Sequence, residues 1–326
     1  MQMMKGKKEI LQGLVMGVCL PAVLMGLVLR TGAPKSEAMQ LPPATTTSQN
    51  QEKAAMKIRV LQDANVTEMD LEEYILGVLL AEMPPSFETE ALKAQAVAAR
   101  TFTLWSGLGN GNHTDAAVCT ESTCCQGYLS PMRFVKQGGD ASQVNKLRDV
   151  VQSTKGQVIR YQGELILASY FSCSGGSTEA AVAVWGVDYP YLQAVESPGE
   201  ENAAWFTDEK LFTPEAFAQA LQLNLVGAPA VWFGAITYTD GGSVDTVDIC
   251  GQTFRGTQLR SLLGLRSTAF RICASEEGIL ISTWGFGHRV GMSQYGADAM
   301  ARDGKDYRQI LRHYYTGTVV EDYEKE

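Results

Sequence analysis

Two adjacent prolines, Pro84 and Pro85, interrupt a helical pattern in the stretch LLAEMPPSFETEALKAQAVAARTFTLW, residues 79–105. A proline removes a backbone donor from a helix and forces the preceding residue into an extended conformation, so the first helix must end before the prolines. Glu82 therefore falls in the last turn of that helix. A carboxylate fixed at a helix end can serve as a general acid, although an ordinary solvated glutamate is the alternative.

A second helix is predicted after the prolines. Ser86 is a suitable N-cap, and Glu88 and Glu90 lie in the first turn, where the helix dipole favours negative charge. From Ala91 to Ala99 most residues are small, so this helix can approach a neighbouring backbone closely. Together with alternating strand patterns elsewhere, these helices predict an α+β fold.

A loop with the sequence NHTDAAVCTESTCCQGY supplies one histidine and three cysteines, namely His113, Cys119, Cys124 and Cys125. Imidazole and thiolate are the ligands that a tetrahedral zinc ion prefers, so the loop is a candidate structural zinc site. Adjacent Cys124 and Cys125 are expected to point inward together only with strain. A Cys119–Cys124 or Cys119–Cys125 disulfide is the alternative.

Two glycine-containing stretches follow, YFSCSGGST at residues 170–178 and GFGHRVGMSQYGA at residues 285–297. Together with AEMP and ALKAQAVAARTF around the prolines, and with the His/Cys loop, they form four ordered motifs within residues 57–315. This set resembles the stage II sporulation protein D family, the peptidoglycan lytic transglycosylases of endospore-forming bacteria and their relatives.

The resemblance implies that Glu82 is the general acid for cleavage of peptidoglycan glycan strands during engulfment. It also implies strands already stripped of stem peptides by a partner amidase, and other membrane-anchored engulfment proteins as partners. Family members with a metal resemble a His, Cys, His, Cys pattern, and Cys124 stands where the second histidine would fall. The residues expected to contact the glycan are Arg100, Tyr170, Ser172, Ser174, His288, Gln294 and Tyr295.

Two other functions fit parts of the sequence. Some relatives of the family are amidase enhancers, so the chain is alternatively a glycan-binding activator of a cell-wall amidase without chemistry of its own. Cys173 and His288 offer a second alternative, because a Cys–His dyad would make an acyl-transfer enzyme. A formal net charge of -9 argues against a nucleic-acid partner, which requires a basic surface.

The N-terminal segment predicts a membrane anchor. Lysines precede an apolar run from Ile10 to Leu29, whose length of about 30 Å as a helix matches a bilayer core. The positive residues place residues 1–9 in the cytoplasm and the main domain outside. The family resemblance implies that this outside is the intermembrane space of a sporulating cell. A cleaved signal peptide ending near Ala38 is the alternative. Residues 30–55, rich in Pro, Thr and Ser, predict a flexible stalk.

Two lobes are predicted beyond the stalk. Residues 56–202 and 272–326 form a helix-rich catalytic lobe with antiparallel strands, and residues 203–271 form a smaller inserted α+β lobe. The strand pattern at Ile279–Thr283 predicts a return of the chain to the first lobe. Whether Cys250 and Cys273 pair as a disulfide stays open.

Overall fold

The structure is a computed structural model, and it describes residues 55–324 of the 326-residue chain. The predicted anchor at residues 10–29 lies outside the described residues, as do the predicted cytoplasmic segment 1–9 and nearly all of the stalk. Between residues 55 and 324, none of the helices combines the length and the apolar character needed to cross a bilayer.

The described residues form the mixed α+β architecture that the sequence predicts. A π-helical turn at Ser106–Asn110 extends the second helix, and a short 3₁₀ turn occupies Pro229–Val231. The α-helices are α1 Leu71–Glu82, α2 Thr89–Trp105, α3 Pro131–Lys136, α4 Ala141–Ser153, α5 Ala181–Trp185, α6 Pro214–Leu221, α7 Gly256–Leu263, α8 Gln294–Arg302 and α9 Tyr307–Tyr314.

The strands are β1 Lys57–Gln62, β2 Asn65–Asp70, β3 Val118–Cys119, β4 Gln157–Tyr161, β5 Glu164–Leu165, β6 Tyr170–Phe171, β7 Thr207–Phe212, β8 Phe233–Tyr238, β9 Val244–Ile249, β10 Gln252–Arg255, β11 Ala269–Ser275, β12 Gly278–Trp284, β13 Met292–Ser293 and β14 Val319–Asp322. They make small sheets in the orders β2-β1-β3, β14-β4-β5, β13-β6, β10-β9-β8 and β11-β12-β7. Most pairs are antiparallel as predicted, but β1 with β3 and β6 with β13 are parallel.

Local signals set the ends of α1. The Asp70 side chain accepts the backbone N–H groups of Glu72 and Glu73, which caps the first turn. The helix ends at Glu82 as predicted, because the prolines that follow cannot continue it. The predicted cap of α2 is wrong: Glu88 occupies the N-cap position, not Ser86. A turn between Pro84 and Phe87 comes first and buries the Phe87 ring before the helix starts.

The alanine-rich helix α2 lies at the centre of the first hydrophobic cluster, where α1, α4, α8 and α9 contact it. Ala94, Ala96, Ala98 and Ala99 are completely buried. Their small side chains let several helices approach the backbone of α2 from different sides, as close packing in a protein interior requires. This arrangement fixes α1, and with it the position of Glu82.

A second hydrophobic cluster is formed by α6, α7 and the strands of two three-stranded sheets. Strand β12 pairs with both β7 and β11, and its residues Ile279 and Ile281 are completely buried in this cluster. The predicted boundary at residue 271 and the predicted return of Ile279–Thr283 to the first lobe are therefore wrong. Long-range pairing with β7, which the sequence does not reveal, keeps β12 in the second cluster.

The short parallel pair β6–β13 brings the two glycine-containing stretches together. Tyr170 pairs with Met292, and Phe171 pairs with Ser293. Immediately after β13, the side chain of Ser293 caps α8 by accepting the backbone N–H of Gly296. The pairing therefore places the first turn of α8 beside β6, at the end of α1.

Candidate active site

Glu82 is partly exposed at the C-terminal end of α1. Its Oε1 atom accepts the backbone N–H of Gly127 at 2.6 Å. Burial of the carboxyl group raises the pKa of Glu82 above its ordinary value, while the Gly127 N–H and the Gln294 side chain act in the opposite direction. Because burial is the largest of these effects, Glu82 keeps its proton to a higher pH than an exposed glutamate does.

The Gln126–Gly127 dipeptide joins Glu82 to Tyr170. The Tyr170 hydroxyl donates to Gln126 Oε1 at 2.9 Å, and Gln126 Nε2 donates to the Thr103 hydroxyl on α2 at 2.9 Å. Burial raises the pKa of Tyr170, and the neighbouring charge of Glu82 raises it further. A Cβ atom at position 127 would lie 2.7 Å from Glu82 Oε1, so this close approach requires glycine.

Gln294, the first residue of α8, is buried beside Glu82. Its amide nitrogen Nε2 is buried and faces the Glu82 carboxyl group closely enough to lower the pKa of that group, but it completes no hydrogen bond of good geometry within residues 55–324. Leaving a buried donor unpaired is costly, so the group is a good candidate for contact with a ligand. Next to it, the Tyr295 N–H donates to the Ser172 carbonyl at 3.0 Å, and the Tyr295 ring packs edge-on against Phe87 at 5.0 Å.

The four predicted metal ligands lie together. The ligand atoms of His113, Cys119, Cys124 and Cys125 are all within 4.8 Å of one another. Cys124 Sγ is 3.4 Å from His113 Nε2 and 3.9 Å from Cys125 Sγ. These separations are close to the roughly 3.3–3.8 Å between ligands around a tetrahedral zinc. The cluster can therefore hold a metal ion, and the expected strain between Cys124 and Cys125 does not keep their thiols apart.

The cysteines of this cluster are free in the structure, so the alternative Cys119–Cys124 and Cys119–Cys125 disulfides are not formed. Burial raises the pKa of Cys125 to about 12. A metal that bound here would displace the thiol protons, as thiolate coordination requires. Cys125 directly precedes Gln126 and Gly127, so the cluster adjoins the loop that contacts Glu82 and Tyr170. Cys250 and Cys273 are also free.

Comparison with known proteins gives the same family as the four motifs. The family pattern described as "Stage II sporulation protein" matches residues 62–161. "Stage II sporulation protein D" of Bacillus subtilis (strain 168) is 38% identical over 292 residues, which cover 87% of this chain and 84% of that protein. The chain belongs to the stage II sporulation protein D family.

Two further relatives extend the comparison. The stage II sporulation protein D of Bacillus amyloliquefaciens is 35% identical over 328 residues, covering 95% of both proteins. An "Amidase enhancer" of Bacillus subtilis (strain 168) is 30% identical over 305 residues, covering 76% of this chain and 40% of that protein. One relative of this chain is therefore named for an effect on an amidase.

Two of the residues expected to contact the glycan instead form buried hydrogen bonds within the protein. The Arg100 guanidinium is completely buried, 2.6 Å from the carboxylate of Glu72, and also donates to the Gln157 carbonyl. Ser174 is completely buried as well, and its hydroxyl donates to Glu200 at 3.0 Å. Neither side chain is accessible to a ligand, so we correct both assignments to structural roles.

Cys173 and His288 do not form a dyad. The Cys173 thiol donates to Glu200 Oε2 at 3.0 Å, and burial raises the pKa of this thiol well above its ordinary value. His288 Nδ1 instead accepts the Val290 N–H at 3.1 Å, and burial lowers the pKa of His288 to about 4. Its ring lies 5.4 Å from that of Trp185. A neutral thiol engaged with a carboxylate is a poor nucleophile.

Several important residues were not predicted from the sequence. Gln126 and Gly127 contact the candidate site, and their position directly after the cysteine pair was the available signal. Glu200 accepts hydrogen bonds from Ser174 and Cys173, and Arg289 donates to the Ser174 carbonyl at 2.7 Å. No local pattern marks either of these last two residues, because their partners are distant in the sequence.

Proposed function

We propose that this protein is a lytic transglycosylase that cleaves the MurNAc–GlcNAc β-1,4 bond of peptidoglycan and leaves 1,6-anhydroMurNAc ends. The observation that carries the proposal is the state of Glu82. It is a carboxyl group with a raised pKa, fixed by a backbone donor, beside an unpaired amide and a buried tyrosine hydroxyl. A general acid needs to be both protonated and positioned; burial favours the protonated form of Glu82, and the Gly127 N–H fixes its position.

In the proposed reaction, the Glu82 carboxylic acid gives its proton to the glycosidic oxygen as the bond from C1 of MurNAc to that oxygen breaks. The GlcNAc fragment leaves with a free hydroxyl. The Glu82 carboxylate then takes the proton of the C6 hydroxyl of the same MurNAc, and the C6 oxygen bonds to C1. The side chain ends the cycle protonated, and no water is consumed.

The proposed reaction needs no second carboxylate. A hydrolase ordinarily uses a second carboxylate within about 5–10 Å, as nucleophile or as base. The pKa shift of Glu82 comes from burial, the Gly127 N–H and the Gln294 side chain, and no second carboxylate contributes to it. A single residue acting first as acid and then as base is sufficient for the intramolecular attack. The Nε2 group of Gln294 would donate to the glycan beside the reacting bond.

His113, Cys119, Cys124 and Cys125 would hold zinc in a closed, structural site. With four protein ligands the ion has no open position, so it would supply no chemistry and would fix the loop that carries Gly127. Loss of the ion would then act on catalysis through the position of the Gly127 N–H.

The proposed setting is the septum of a sporulating cell, with the chain anchored by residues 10–29 and its main domain outside the cytoplasm. The proposed substrate is glycan from which a partner amidase has removed the stem peptides. A second candidate function is supported by the amidase enhancer relative: the chain would bind glycan and activate an amidase without cleaving the strand.

The decisive experiment is mass spectrometry of peptide-free glycan strands incubated with wild type and with Glu82→Gln. We expect anhydro-ended fragments from wild type and at least about 10²-fold fewer from the variant, because glutamine cannot donate the proton. Glu88→Gln is the matched control, an exposed carboxylate six positions away that should leave cleavage unchanged. Intact strands that nevertheless co-sediment with wild type would reject the enzyme and support the activator.

A further inference from the structure

A cavity of about 510 Å³ lies apart from Glu82, which is not among its lining residues. One wall is the Ser174–Ser177 turn, through Gly175, Gly176 and Ser177, and the opposite wall comes from strands of the second hydrophobic cluster. This volume is within the range of about 300–1,000 Å³ that small-molecule sites occupy. We call it the distal cavity, and it is lined by Gly175, Gly176, Ser177, Tyr238, Gly241, Gly242, Ala269, Phe270, Arg271, Trp284 and Arg289.

An arginine–tryptophan pair forms part of the opposite wall. Trp284 pairs with Ala269 across β11 and β12, so Trp284 and Arg271 are diagonal neighbours on the same face of the sheet. The Arg271 guanidinium carbon lies 5.4 Å from the centre of the Trp284 ring. Tyr238 adds an aromatic side chain, with 56% of the residue exposed. Flat aromatic faces with a polar edge are suited to stacking against a sugar ring.

Arg271 is exposed, and it has neither an ion pair nor a side-chain hydrogen bond with any residue between 55 and 324. Arg289, which lines the same cavity, differs in this respect. Its side chain is buried and donates to Glu179, Ser243 and several backbone carbonyls. Arg289 therefore supports the wall, while the guanidinium of Arg271 is available to an anion.

The wall that faces this pair is rigid. Gly175 has a φ of +75°, and a Cβ atom there would lie 2.7 Å from the Trp284 carbonyl carbon. The backbone N–H groups of Ser174 and Gly175 both donate to Glu200 Oε2. The turn is therefore held against the Trp284 backbone in a single conformation. A preformed wall lowers the entropy cost of binding.

We propose that the distal cavity binds a sugar that carries a free carboxylate. The identity of this sugar rests on the proposed function: it is a MurNAc residue whose lactyl group has lost its stem peptide. In an intact strand the lactyl carbonyl is part of an amide and is neutral, whereas removal of the peptide leaves a carboxylate. A guanidinium binds a carboxylate through two parallel charge-assisted hydrogen bonds, and Trp284 and Tyr238 supply stacking surfaces for the ring.

The distal cavity and the Glu82 site are joined by one chain segment. Tyr170 lies next to Glu82, and Gly176 lines the distal cavity six residues later. Because six residues of fully extended chain span about 20 Å, Tyr170 and Gly176 cannot be further apart than that. A glycan strand of several sugars can therefore contact both. Arg271 would then distinguish stripped strands from peptide-bearing strands at a distance from the bond that is cleaved.

The test measures binding of the full-length chain carrying Glu82→Gln, which prevents turnover, to two probes. One is peptide-free glycan with free lactyl carboxylates, and the other is the same glycan after chemical amidation of those carboxylates. We expect at least about tenfold tighter binding of the carboxylate form, since hydrogen bonds to charged groups typically give that factor. Arg271→Gln should remove the preference, and Arg271→Lys should restore part of it.

Arg308→Gln is the matched control, because Arg308 also lies over an aromatic ring, 4.9 Å from the centre of Tyr307, but does not line the cavity. It should keep the full preference. Equal affinity for both probes, or an unchanged preference in Arg271→Gln, would overturn the inference. Cleavage is assayed separately with wild type. If stripped strands bind through their carboxylates but are not cleaved, the proposed reaction is rejected and the inference about the distal cavity stands.

Discussion

Helix α1 carries a buried or partly buried glutamate at each end, and the two differ in their partners. Glu72, in the first turn, forms a buried ion pair with Arg100 at 2.6 Å and accepts the Gly156 N–H at 3.2 Å. Glu82, at the last residue, accepts the Gly127 N–H but has no cation among the groups that shift its pKa. Each carboxylate accepts a glycine N–H, but only that of Glu72 also pairs with an arginine.

The difference separates a structural carboxylate from a reactive one. A buried carboxylate paired with a guanidinium holds elements together, here α1, α2 and the start of β4. A carboxyl group without a cation has its pKa raised by burial, so it keeps its proton to a higher pH and can donate it to a substrate. The same residue type in the same helix therefore performs two functions, and the neighbouring cation decides between them.

The largest expected effect comes from removing the cation at the Glu72 end. Arg100→Leu leaves the Glu72 carboxylate buried without a partner, so we expect the free energy of unfolding to fall by about 3–5 kcal/mol in urea denaturation. Arg148→Leu is the matched control, because its ion pair with Glu73 is exposed and should contribute no more than about 1 kcal/mol. Similar losses of unfolding free energy in both variants would contradict the structural role of the Glu72–Arg100 ion pair.

A second, smaller effect tests whether the Glu82 end depends on the His/Cys loop. If the free zinc concentration is about 100 times the dissociation constant of the cluster, removal of zinc by a chelator should lower the free energy of unfolding by about 3 kcal/mol. Cleavage should fall with it, because the Gly127 N–H loses its fixed position. Cys124→Ser should abolish the response to chelator, whereas Cys250→Ser, at an exposed free cysteine, should retain it. A chelator that changes neither quantity in wild type contradicts the metal assignment.

A third variant gives Glu82 the cation that it lacks. Gln294→Lys places an ammonium beside the carboxylate, and an opposite charge at this range lowers a carboxyl pKa by about 1–3 units. Cleavage at neutral pH should fall about tenfold or more, and should partly recover in acid, where Glu82 regains its proton. Gln294→Met, which adds no charge, is the control for lost hydrogen bonding. If Gln294→Lys has the same activity and pH profile as Gln294→Met, a positive charge beside Glu82 has no effect on cleavage, which would contradict this prediction.

Local parts of this arrangement could be predicted from the sequence. The Asp70 cap and the double proline fix both ends of α1, and neighbouring residues alone determine them. The Thr213–Pro214 start of α6 follows the same rule. The grouping of His113, Cys119, Cys124 and Cys125 was also predictable, because these residue types suit a shared metal ion and stand close together in the sequence.

The remaining parts depend on contacts between residues far apart in the sequence. Glu72 and Arg100 are 28 positions apart, and Cys173 and Glu200 are 27 apart, so no local pattern pairs them. The predicted roles of Arg100 and Ser174 were wrong for this reason. The boundary at residue 271 was wrong because β12 resembles any other apolar strand, and only its pairing with β7 assigns it to the second cluster.

The most direct test compares the titration of the Glu82 carboxyl group, followed by carbon NMR, with the pH dependence of glycan cleavage. A raised pKa means that the acid form persists to higher pH, so cleavage should be lost as pH rises through the pKa of folded Glu82. The account predicts that this alkaline limb coincides with the NMR titration, at a pKa above that of an exposed glutamate. A Glu82 that titrates at the ordinary value, or cleavage that continues unchanged above its pKa, would contradict the account.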